Sequence, residues 1–163
     1  MLEWMPMLEI RSAAVALESA DLVGVAVPYN EWAEIRERGV SFRERFLPES
    51  VEVRDDVTLR IGHGAGGVPL ARVGAATLSF TQSQEGLLFR ASLPESRADL
   101  REALARRDLD GSVSIGFRDV RDTKRIVPRS KVAYLRDISS AVLDHLSIVE
   151  RPAYAGATAE LLP

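Results

Sequence analysis

Three short segments hold the residue types that nucleophilic catalysis requires. Gly111-Ser112-Val113-Ser114-Ile115-Gly116-Phe117 alternates strictly, with Val113, Ile115 and Phe117 on one side and Ser112, Ser114 and Gly116 on the other. A period of two marks a strand with one buried face. A serine flanked by small residues on such a strand is expected to leave its hydroxyl open to approach. Leu143-Asp144-His145-Leu146-Ser147-Ile148-Val149 reads as a second strand and carries one histidine, and Ile61-Gly62-His63-Gly64 carries the other. The chain has no further histidine. One serine and two histidines on separate segments are sufficient for a nucleophile, a base and an orienting group.

Composition narrows the alternatives. The 163 residues suit one domain with a proper core, and 46% hydrophobic with 28% charged residues is ordinary for a soluble globular chain. A formal charge of -3 argues against a dedicated nucleic-acid surface. The absence of cysteine excludes disulfides, a thiol nucleophile and cysteine-based metal sites. With two histidines, no metal and no cofactor is expected. No apolar run reaches transmembrane length and no signal peptide is evident, so a soluble protein made in a cytoplasm and independent of membranes is expected.

The elements that must position these residues follow in order. Met1 to Ser19 shows no period, although Leu8-Glu9-Ile10-Arg11 suits the start of a strand. Leu22 to Val27 predicts a buried strand ended by Pro28. Asn30 to Gly39 reads as a polar loop with at most a turn of helix, Val40 to Leu47 as an alternating strand, and Glu49 to Glu52 as one helical turn. Thr58 to Ile61 leads into His63 as a strand. The glycines at 62, 64, 66 and 67 then form a turn, which matches neither a P-loop nor a dinucleotide fingerprint. Arg72 to Gln82 and Gly86 to Leu93 form a strand pair, with Leu87, Phe89 and Ala91 on one face. Pro94 to Arg107 predicts a helix with Ser96 and Asp99 as a capping arrangement and Leu100, Ala103 and Leu104 as its apolar stripe. Arg121 to Lys131 reads as a charged linker. The chain is expected to be α+β and mostly β, in one domain spanning 1–163.

The segments 111–117 and Leu-Asp-His-Leu-Ser-Ile-Val-Glu-Arg-Pro-Ala-Tyr-Ala-Gly-Ala (143–157), with a histidine ahead of a loop ending in Val68-Pro69-Leu70, resemble the tailed-phage prohead proteases. Glu85-Gly86-Leu87 and the helix before the serine strand keep the order of that family. The resemblance runs from about Leu22 to Ala157. It implies a serine endopeptidase related to the herpesvirus assembly proteases, with a β-barrel surrounded by helices. Such an enzyme acts inside the immature capsid, or prohead, in the host cytoplasm. It cuts scaffold or the scaffold-like part of the major capsid protein, and often itself.

Position by position, Ser114 matches the nucleophile and His63 the general base. The third place, commonly an acid in the phage branch, falls on His145, as in the Ser-His-His herpesvirus branch. The resemblance also allows a homodimer, with the 96–107 helix as a contact.

The chemistry fits those roles. A serine hydroxyl needs a neutral imidazole to take its proton, and an ordinary histidine near pKa 6.5 is mostly neutral at pH 7. The third group holds the tautomer and steadies the imidazolium. A neutral His145 supplies no full negative charge, so a slow enzyme is expected. Asp144, the substitute orienter, is turned to the opposite face by strand alternation. Ser112 and Ser147 are alternative serines without a matching motif. Arg151, and more weakly Arg118, are candidates to assist the oxyanion. A catalytically silent scaffold or assembly partner with the same fold is the alternative. An esterase is more remote, because the Gly-x-Ser-x-Gly elbow is absent.

Overall fold

The computed structural model describes residues 9–18, 21–62, 67–109, 111–149 and 160–161. Among them lie twelve strands: β1 (Glu9–Glu18), β2 (Asp21–Pro28), β3 (Ala33–Glu37), β4 (Val40–Phe46), β5 (Val51–Glu52), β6 (Thr58–Ile61), β7 (Ala71–Arg72), β8 (Leu78–Gln82), β9 (Gly86–Ser92), β10 (Ser112–Arg125), β11 (Leu135–Val149) and β12 (Glu160–Leu161). One α-helix, α1 (Ala98–Ala105), and two 3-10 turns complete the described elements. The protein is therefore mostly β, as expected.

The spine is the antiparallel pair β10–β11, whose ladder runs from Ser112↔Val149 to Arg125↔Leu135. Its first half forms because alternating apolar residues bury one face. Val113, Ile115 and Phe117 lie beside Ile148, Leu146 and Leu143, all essentially closed to solvent. Each such side chain contributes about 1.5–3 kcal/mol.

On its other edge β11 receives three successive segments in parallel. β4 pairs with Leu135–Ile138, β5 with 141–142, and β6 with 145–148. Backbone bonds carry the chain between them, from Leu47 N–H to Ile138 O and from Ala141 N–H to Ser50 O. The sheet path runs β3-β4-β11-β10-β1-β2-β9-β8, and among the described residues its two end strands do not pair, so the barrel is not closed there. β1 joins the halves, pairing with β10 as far as Ala14 and with β2 from Val15 onward.

The differences from the sequence reading have physical causes. Residues 33–37 form a strand, not a loop. It is an edge strand that buries only Ile35 and shows charges to solvent, so it lacks an apolar pattern. Its hairpin closes through Arg38 and Gly39, both at positive φ. Val51–Glu52 is strand rather than helix because the backbone of β11 at 141–142 takes it as a partner. The expected strand 72–82 is broken by a 3-10 turn at Val73–Ala75. The helix is shorter than expected and has no side-chain cap, since Asp99 pairs with Arg97 instead. Leu100 and Leu104 do enter the core.

Residues 121–125 belong to β10 rather than to a linker. Charge holds this outer half of the spine. Arg136 on β11 lies between Glu44 of β4, at 3.1 Å, and Asp122 of β10. Glu44 is only 1% exposed, so its carboxylate depends on that guanidinium. Arg136→Met is expected to cost about 3–5 kcal/mol. Arg90→Met, at the exposed Arg90–Asp21 pair, is expected to cost under about 1 kcal/mol. Urea unfolding of the two variants checks the difference.

Candidate active site

Sheet register decides which side chains meet, because directly paired residues project to the same face. Ser114 pairs with Ser147, and Gly116 with His145. On the far side of β11, Thr58 pairs with His145 and Arg60 with Ser147. One face of three adjacent strands therefore carries Ser114 and Gly116, then His145 and Ser147, then Thr58 and Arg60. Ser114 and His145 are diagonal neighbours on it.

This face is not open, contrary to the expectation of an accessible hydroxyl. Residues 111–117 are all buried, and Ser114 is 1% exposed. Its hydroxyl has no hydrogen-bond partner among the described residues. An unsatisfied buried hydroxyl costs about 1–3 kcal/mol, and such groups call for an explanation.

His145 is equally buried, and its ring lies across the strand on Gly116. A Cβ added there would stand 2.7 Å from Nδ1 and 3.1 Å from Nε2, with Cε1 nearer still. Glycine is thus the residue that lets the imidazole cross the ladder. A glycine inside a strand pattern signals a close approach of this kind, so the signal was present in the sequence.

Asp144 departs from the alternation argument. Its Oδ2 lies 2.8 Å from Nδ1 of His145. The register shifts at this point: Gly116 pairs with His145, but the next residue, Phe117, pairs with Leu143. Asp144 is the extra residue of a β-bulge, and a bulge re-aims side chains that would otherwise alternate.

Ser147 has a structural task. Its hydroxyl donates to Gly62 O at 2.6 Å, while Gly62 N–H donates to Ile148 O at 3.0 Å. These two bonds fix the end of β6, the strand that leads into His63. Ser112 is buried on the same face as Ser114. Arg118 lies two residues beyond Gly116, 3.9 Å from Asp56 and 4.0 Å from Asp119. His63 and Arg151 lie outside the described residues.

A cleft of about 430 Å³ lies between β6 and the stretch after the His63 loop, lined by Thr58, Arg60, Val68, Leu70 and Arg97 among others. Among the described residues no group of three or more His, Asp or Glu is arranged to hold a metal. No helix there is long and apolar enough to cross a membrane.

The family model described as Caudovirus prohead serine protease matches residues 7–162, nearly the whole chain. Comparison with curated proteins and with solved structures found no match. By class, then, the protein is a serine protease. It belongs to the caudovirus prohead serine protease family and is in general terms a phage capsid maturation protease.

Gly116→Ala is expected to push the His145 ring off the strand. Its ring resonances should move in NMR spectra, and stability should fall by about 1–3 kcal/mol through overpacking. Unchanged histidine resonances would mean that the ring does not rest there.

Proposed function

We propose that this protein is an endopeptidase of Ser-His-His type, with Ser114 as nucleophile, His63 as general base and His145 as the third member. Its substrates are scaffold or the scaffold-like part of the major capsid protein, cut inside the immature capsid in the host cell. Self-cleavage, a homodimeric active form, a single domain over 1–163 and kinship with the herpesvirus assembly proteases belong to the same reading. No nucleic acid takes part. The observation that carries it is the buried, unpartnered hydroxyl of Ser114 on the same sheet face as His145. A purely structural serine in that position would be expected to bond to its surroundings, as Ser147 does.

The chemistry runs in two halves. His63 takes the Ser114 proton as Oγ bonds to the scissile carbonyl carbon, and the carbonyl oxygen becomes an oxyanion. Arg151 and backbone N–H groups are the candidates to stabilise it. The oxyanion collapses, the C–N bond breaks, and the leaving amine takes the proton from His63. Water then gives a proton to His63 as its oxygen bonds to the acyl carbon. The ester C–O bond breaks, and Ser114 Oγ takes that proton back from His63 as the acid product leaves. The cleft beside β6, with Arg60 and Arg97 among its lining residues, is the candidate place for an extended substrate.

Covalent labelling with a fluorophosphonate, followed by mass mapping, tests the reading. Ser114 is expected to take the label, Ser114→Ala to take none, and His63→Ala to be slowed about 100-fold or more, the scale of general-base assistance. A chain that stays unlabelled even with coat protein present would instead support the silent scaffold.

A further inference from the structure

We propose that Asp144 is a positioning residue of this site: its carboxylate fixes the tautomer of His145 and supplies the negative charge that a Ser-His-His set lacks. The inference rests on the Ser114, His63 and His145 assignment above and adds a fourth member to it.

A histidine in the third place has a specific requirement. To receive a hydrogen bond from the base, one ring nitrogen must carry no proton, so the proton must be held on the other. An ionised carboxylate can only accept. Oδ2 of Asp144 lies 2.8 Å from Nδ1; an ionised carboxylate there would accept from Nδ1–H, and in a neutral ring Nε2 would then be the acceptor.

The surroundings suit the task. His145 is 1% exposed, whereas the Asp144 side chain is 35% exposed. The carboxylate therefore keeps contact with water while touching a desolvated ring, which lowers the cost of holding a charge there. The ring's dipole is polarised by that charge, and polarised hydrogen bonds in a chain strengthen one another. Under the assignment above, an imidazolium formed at His63 would have as its partner a ring backed by a carboxylate and not an unsupported neutral imidazole.

Two local features make the contact possible. The bulge opposite Gly116/Phe117 turns Asp144 out of simple alternation, and Gly116 gives the ring its place across the strand. Neither would be needed to bury an ordinary core histidine.

The test compares wild type, Asp144→Asn, Asp144→Ala, Asp144→Glu and His145→Ala. Three readouts apply: the saturating rate of fluorophosphonate labelling at Ser114, the concentration for half-saturation, and the ¹⁵N shifts of the His145 ring. Wild type should show the proton on Nδ1. Asp144→Asn removes the charge in the same shape, and Asp144→Ala removes the acceptor too. Both should lower the saturating rate about 10- to 100-fold, the scale known for carboxylate partners of metal-binding histidines. Half-saturation should be unchanged, with partial rescue by Asp144→Glu. In Asp144→Ala the ring proton should redistribute between the two nitrogens.

Labelling of both Asp144→Asn and Asp144→Ala within twofold of wild type, with His145→Ala impaired, would sink the Asp144 inference alone. Normal labelling of His145→Ala would overturn the third-member assignment, and Asp144 with it.

Discussion

Everything at the site depends on the backbone register between β10 and β11. A slip of one residue would move Ser114 and His145 to opposite faces, because side chains alternate along each strand. The register is held from both ends. Near Ser112 it is held by the apolar rows of Val113, Ile115 and Phe117 against Ile148, Leu146 and Leu143. Near Arg125 it is held by Arg136, paired with Asp122 and with the buried Glu44. A mixed apolar and ionic lock suits a long strand pair whose β10 side is exposed over its outer half.

The same ladder organises the upstream chain. β5 and β6 are short, and with the longer β4 they each find a place along β11 in sequence order. The chain from 40 to 62 is thus measured out along one ruler, and its end is fastened by Ser147 and Ile148 to Gly62. A serine with no catalytic motif therefore has a structural part beside the candidate site, by holding the end of the strand that precedes His63 in sequence.

One of the ladder's register shifts falls beside the candidate site. The bulge sets Asp144 against His145, and Gly116 admits the ring. Bulges are retained next to active sites because they re-aim side chains. The family match supplies the class of protein, and these local features set how Asp144, His145 and Gly116 meet in this chain.

The sequence by itself determined the class of fold, the two strands that matter and the pairing of candidate residues with motifs. Period-two burial is a local property, and the alternation at 111–117 and 143–149 shows it directly. The edge strand 33–37 and the short β5 were not legible, because their stability comes from backbone partners distant in sequence and not from their own pattern. Nor was the burial of Ser114 legible, since alternation reports one apolar face and says nothing of what covers the other. The contact between Asp144 and His145 was decided by tertiary structure alone. Alternation predicts opposite faces for neighbours, and only a mismatch in residue count between two paired strands can bring neighbouring side chains together.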